Sequence, residues 1–145
     1  VPPLYELAKQ FNKRGIKTIT ILGFNSKDEV FYEDEFKKFG KTYVSTVDGS
    51  VGTKGFVTDV IKKLQEENKL VFDKYYSCGP VPMLKALVNA VGENGYISLE
   101  NRMACGIGAC YACVCKKKKK DKNKDDYSRV CYDGPVYLAS DVEIE

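Results

Sequence analysis

Apolar positions along this chain recur at two alternating periods. Leu4, Leu7, Ala8 and Phe11 fall at i, i+3, i+4 and i+7, one face of a helix. Pro2 and Pro3 suit its first turn and Gly15 its end. Thr18 to Phe24 is short, β-branched and nearly continuously apolar, as a buried parallel strand is. Tyr32, Phe36 and Phe39 place a second helix over 28–39, ended by Gly40, and Thr42 to Val47 reads as a second strand. A glycine-rich loop, Asp48 to Gly55, precedes a helix carried by Val57, Val60, Ile61 and Leu64. Val71 to Cys78 is a third strand. Gly79 to Pro82 turns into a helix carried by Leu84, Leu87, Val88 and Val91 and closed by Gly92, and Tyr96 to Glu100 is a fourth strand. Strands alternating with helices of this length predict an α/β fold: a parallel sheet flanked by helices.

The pattern changes at Arg102. From there to Glu145 no helical period remains, and only Val136 to Leu138 has the character of a strand. We expect residues 1–101 to form a nucleotide-binding-like domain and 102–145 a small module of loops and short strands. About 44 residues cannot hold a hydrophobic core of their own, so a metal centre is expected to staple them.

Composition narrows the chemistry. Among 145 residues there are six cysteines and no histidine or tryptophan. That excludes Ser-His-Asp and Cys-His catalysis and histidine-ligated zinc. The net charge of +3 is local, because the run Lys116 to Asp126 carries +4 and the rest −1. We read the run as a solvated loop and expect no nucleic-acid surface. No apolar stretch is long enough to span a bilayer and no secretory signal opens the chain, so the expected location is cytoplasmic.

Five of the six cysteines lie between Cys105 and Cys131. Cys105, Cys110 and Cys113 read C-x4-C-x2-C, and Cys131 follows after 17 residues, which is the plant-type [2Fe-2S] spacing. A loop that wraps a cluster turns its amides toward the sulfurs, and Gly106 and Gly108 permit the required angles. The alternative is a structural four-cysteine zinc module, but such sites usually pair two short knuckles and only one is present here. Cys115 follows Cys113 by two residues and is read as a packed thiol beside the ligands.

Cys78, Gly79 and Pro80 end a strand and open a helix, where open α/β sheets bind ligands. Three segments then carry a resemblance: Arg102 to Cys115 (RMACGIGACYACVC), Val130 to Pro135 (VCYDGP) and Tyr75 to Leu84 (YYSCGPVPML). They resemble the electron-transfer subunit of the type B dihydroorotate dehydrogenases, within the ferredoxin-NADP reductase group. The resemblance implies that Cys105, Cys110, Cys113 and Cys131 hold a [2Fe-2S] cluster. It places Cys78, Gly79 and Pro80 beside a nicotinamide, Gly52, Thr53 and Gly55 in the nucleotide loop, and Gly23 and Phe24 toward the adenosine side. It implies NADH as donor, FAD as the flavin that splits the electron pair, and an FMN-containing catalytic partner in a heterotetramer, acting in pyrimidine biosynthesis. No residue of this chain is expected to act as a general acid or base. Reductase subunits of hydrogenases or of ferredoxin:NAD(P) oxidoreductases share this plan and are the rival reading. The acidic stretch Asp28 to Glu35 is compatible with NADH, since a 2′-phosphate prefers basic neighbours.

Two parts of the family pattern have no counterpart in these residues: the FAD-binding barrel, and the first strand with its phosphate loop. We therefore expect the chain to be a fragment, inactive by itself, whose sheet is split where the first strand would lie.

Overall fold

The computed structural model describes residues 1–118 and 126–144. The chain separates into two compact units, Val1–Val71 and Phe72–Glu145.

In the first unit, α1 (Pro2–Lys13) leads through Gly15 into β1 (Thr18–Phe24). A 3-10 turn (Lys27–Glu29) and the short α2 (Glu33–Lys37) precede β2 (Gly40–Thr46), followed by β3 (Thr53–Lys54) and α3 (Val57–Glu66). The strands form one parallel sheet in the order β1-β2-β3, with Thr18 opposite Gly40 and Phe24 opposite Thr46. Successive side chains face opposite ways along a strand, so each side of this sheet gathers its own partners. Leu22 and Val44 pack with Ala8 of α1 and Phe36 of α2 in one core. Their neighbours Gly23 and Ser45 face the other way, and a Cβ on Gly23 would stand 2.7 Å from Val57 Cγ1 of α3. Val60, Ile61 and Leu64 bury the apolar stripe of α3. The parallel sheet with helices on both faces is thus found as expected.

The helix expected over 28–39 is instead a 3-10 turn and five helical residues. Val30 is extended and Tyr32 has a φ of 63°, in the left-handed region. That backbone lets Tyr32 stack on Tyr5, with ring centroids 4.8 Å apart. Burying this aromatic contact outweighed helical continuity. Gly40 opens β2 rather than ending a helix, because a side chain there would run into the Thr18 carbonyl.

In the second unit, β4 (Tyr75–Cys78), α4 (Val81–Val91) and β5 (Gly95–Ser98) form a parallel unit. The expected strand 71–78 shortens to Tyr75–Cys78, the part for which β5 supplies partners; Val71 is exposed. β6 (Val114–Lys116) pairs antiparallel with β7 (Tyr127–Arg129). β8 (Val136–Leu138) adds antiparallel to β5, Ile97 opposite Tyr137. One core joins Leu84, Ile97 and Leu99 to Cys113, Val130, Ala139 and Val142. The cysteine-bearing segment therefore shares a sheet and a core with β4, α4 and β5, and position 101/102 falls inside the second compact unit. The short strands β6, β7 and β8 could not bury these residues separately.

Among the described residues the first unit holds the sheet β1-β2-β3, and the second holds β4-β5-β8 and the pair β6-β7. Among the described residues no helix is long and apolar enough to cross a membrane. Residues 119–125 of the lysine run lie outside the described residues.

Candidate iron-sulfur site

The cysteine loop follows Leu99, whose N–H donates to the Pro135 carbonyl at 2.9 Å. Asn101 ties its start down, donating from Nδ2 to the Val114 carbonyl at 3.3 Å. The loop then turns on three left-handed residues: Gly106 (φ 69°), Gly108 (φ 81°) and Tyr111 (φ 55°). Gly108 is buried, and a Cβ there would lie 2.8 Å from Tyr132 Cβ, so this position needs glycine for both angle and space.

The four expected ligands come from this loop and the turn after β7. Cys113 is buried, Cys105 and Cys131 are half-buried and Cys110 is exposed; none is in a disulfide. The Cys131 N–H donates to Cys113 Sγ at 3.3 Å. Amide groups are also aimed at the loop's first thiol. The N–H groups of Ile107 and Cys110, helped by the Cys110 thiol, hold Cys105 down at about 6. The Cys131 amide likewise lowers Cys113, whereas the Cys113 thiol and burial raise Cys131. The thiols therefore meet in two pairs, Cys105 with Cys110 and Cys113 with Cys131. Cys131 is also raised by the charge of Cys105. Among the described residues no group of three or more cysteine or acidic side chains is gathered at metal-holding spacing.

The residues nevertheless suit an iron-sulfur group. The donor set is sulfur throughout, the loop presents it from glycine-permitted turns, and backbone amides already point at the sulfurs. Cys115 stands apart. It lies in β6 opposite Ser128, packs on the core, and burial pushes its thiol up.

The nucleotide-side candidates fall in separate units. In the first, Gly23 and Phe24 close β1, and the Val47 N–H donates to the Phe24 carbonyl at 3.1 Å. The glycine loop leaves the adjacent carboxyl end of β2. Gly52 (φ 70°) lies so close to the Val44 carbonyl that no side chain fits, and Thr53 pairs with Ser45 in β3. Thr46, fully buried, accepts from the Val51 N–H at 3.2 Å and donates to its carbonyl at 2.7 Å. Ser50 holds Asp48 below its ordinary value by donating to it from hydroxyl and backbone. Gly55 (φ 119°) abuts Asp59, whose carboxylate accepts from the Phe56 N–H at 2.7 Å and caps α3. In the second unit, Cys78 ends β4, Gly79 follows it, and Pro80 precedes α4 as its N-cap. A Cβ on Gly79 would stand 2.6 Å from Met83 Cε.

One contributor has no signal in the sequence. Arg129 donates from Nη1 to the Gly108 carbonyl at 2.9 Å and so braces the cysteine loop. In sequence it is a lone arginine four residues before Asp133, with nothing to tie it to Gly108.

Fold and site together present an α/β chain whose C-terminal segment sets four thiols on a glycine-turned loop and the turn after β7. Comparisons with known proteins agree. Residues 100–143 match the family model described as the iron-sulfur cluster binding domain of dihydroorotate dehydrogenase B. The chain is 92% identical over all 145 residues to the electron transfer subunit of dihydroorotate dehydrogenase B (NAD(+)) from Fusobacterium nucleatum, covering 54% of it. It is 57% identical over 138 residues to the subunit of that name from Lysinibacillus sphaericus, 94% of this chain and 51% of that protein. The chain thus spans about half the length of the curated relatives it matches. A solved structure, described as an NADH-dependent reduced ferredoxin-NADP oxidoreductase, superposes with a TM-score of 0.79 at 32% identity. That match covers 97% of this chain and 49% of that one. The resemblance to the electron-transfer subunit is thereby found along the whole chain.

Proposed function

We propose that this chain is the cluster-bearing and nucleotide-side portion of an electron-transfer subunit. Electrons would pass from NADH through FAD and a [2Fe-2S] cluster to the FMN of a dihydroorotate dehydrogenase catalytic subunit, in a cytoplasmic heterotetramer. The observation that carries the reading is the thiol loop with amides turned onto Cys105 and Cys113, in a segment similar to the dihydroorotate dehydrogenase B iron-sulfur domain. We assign residues 102–145 to the cluster and 1–101 to the nucleotide, so that the second compact unit, Phe72–Glu145, carries the cluster residues and the last of the nucleotide residues.

Cys105, Cys110, Cys113 and Cys131 would hold the cluster. When bound, a [2Fe-2S] cluster accepts and releases single electrons, which a hydride donor cannot do without a flavin between. This chain's residues position and tune. The Ile107, Cys110 and Cys131 amides favour negative charge on sulfur. Gly106 and Gly108 let the backbone approach closely. In the nucleotide portion, Gly52, Thr53 and Gly55 line a loop at the carboxyl end of a parallel sheet. Gly79 and Pro80 open α4, whose first N–H groups favour a phosphate or carboxamide oxygen. Gly23 and Phe24 lie at the carboxyl end of β1, which the resemblance assigns to the adenosine, and Cys78 is assigned to the nicotinamide side. No proton need move at any of these side chains, in keeping with the absence of histidine.

The test uses the full-length protein. It should contain acid-labile sulfide, absorb in the visible and bleach on adding NADH. With the catalytic subunit, it should drive NADH-dependent orotate reduction. A colourless, zinc-containing protein defeats the reading. A second reading, a reductase subunit of a ferredoxin:NAD(P) oxidoreductase, is favoured by the 0.79 superposition. Ferredoxin reduction without orotate reduction would select it.

A further inference from the structure

Arg129 is held on every side. Its Nε and Nη2 donate to the two carboxylate oxygens of Asp133 at 3.0 and 3.2 Å. Its own backbone N–H donates to Asp133 Oδ2 at 2.9 Å. The guanidinium lies 4.6 Å from the Tyr132 ring centroid and 5.4 Å from that of Tyr111, the left-handed residue of the cysteine loop. Its remaining donor, Nη1, reaches the Gly108 carbonyl at 2.9 Å. That carbonyl belongs to the peptide group between Gly108 and Ala109, inside the loop from Cys105 to Cys110, and the Ala109 N–H is the weakest of the backbone groups that lower Cys105. The Gly108 amide lowers Cys131 in turn.

We propose that Arg129, oriented by Asp133, is a positioning residue that acts through the Gly108–Ala109 peptide to set the reduction equilibrium of the cluster held by Cys105, Cys110, Cys113 and Cys131. A charged donor on a carbonyl polarises the peptide and strengthens its N–H as a donor, by about 10–30% per bond in a chain. A stronger N–H on a ligating sulfur favours the more negative, reduced state. The guanidinium's own charge acts in the same direction, and the Asp133 carboxylate offsets part of it. Lysine would keep the charge but not the fork that spans Asp133 and Gly108 together.

The inference rests on the cluster reading above. Its test is a potentiometric titration of the full-length protein, followed by the electron paramagnetic resonance signal of the reduced cluster. Iron and sulfide contents are measured alongside. Arg129→Gln should shift the reduction equilibrium about tenfold toward the oxidised form, about 59 mV for a one-electron couple. Asp133→Asn, which leaves the guanidinium unbalanced, should shift it the opposite way, and Arg129→Lys should fall between wild type and Arg129→Gln. A purely structural brace would move Arg129→Gln and Asp133→Asn in the same direction, since each loosens the same loop. Same-sign shifts, or shifts under twofold in both, overturn the proposal. If Arg129→Gln retains no cluster, Asp133→Asn and Arg129→Lys carry the decision: a raised and a lowered potential support it, any other pattern overturns it. Wild-type protein without labile sulfide overturns the cluster reading and this inference with it. Sulfide-containing wild type with unmoved variants overturns this inference alone.

Discussion

Gly106 and Gly108 both sit in the left-handed region of the cysteine loop, at φ 69° and 81°, yet alanine should cost very different amounts at the two. At Gly106 an added Cβ meets nothing within 4 Å, so Gly106→Ala pays only the left-handed backbone, about 1–2 kcal/mol. At Gly108 the same methyl meets Tyr132 Cβ at 2.8 Å and Cγ at 2.9 Å. A Cβ cannot swing aside as a ring can. Tyr132 is also fixed through its backbone, its N–H donating to the Arg129 carbonyl at 3.1 Å. Relieving the overlap means displacing the turn that carries Cys131, a further cost of about 1–3 kcal/mol. Gly108→Ala should therefore total about 2–5 kcal/mol, against about 1–2 for Gly106→Ala. Denaturant unfolding of the full-length protein at fixed cluster loading measures both. Gly108→Ala should also release iron to a chelator faster than Gly106→Ala. Equal midpoints and equal release for the two variants would refute the steric argument and leave backbone angle as the sole requirement.

Cys110→Ser should abolish labile sulfide, whereas Cys115→Ala should retain it, as read from iron and sulfide analysis; the reverse pattern would exchange their roles. Leu84→Ala, at a fully buried position of the second unit's core, should cost about 2–5 kcal/mol in denaturant unfolding. Asp59→Ala removes the acceptor of the Phe56 N–H and should destabilise the first unit by about 0.5–1.5 kcal/mol, seen as faster amide exchange at the start of α3. Ser50→Ala should let the Asp48 carboxyl rise toward its ordinary value, followed by NMR titration. Because Asp48 is depressed in the folded state, its contribution is present above the ordinary carboxylate range and lost as pH falls through the lowered one, so the variant should lose less stability in acid.

The sequence by itself determined the local and the chemical. Helical periods in α1, α3 and α4 and apolar continuity in β1 were legible because each reflects burial of a single face. The thiol spacing pointed to an iron-sulfur group, as the family match over residues 100–143 also does, because ligand geometry constrains a short loop directly. The tertiary structure decided whatever depends on residues distant along the chain. Tyr5 stacking on Tyr32 broke a helix that the local spacing predicted. Strand β8 paired with β5 and drew the cysteine segment into the core of Leu84 and Ile97, since a module of that size cannot bury enough apolar surface by itself. Arg129 acquired its place against Gly108 the same way. A hydrogen bond between residues 21 positions apart leaves no periodic trace, because only folding brings its donor and acceptor to 2.9 Å.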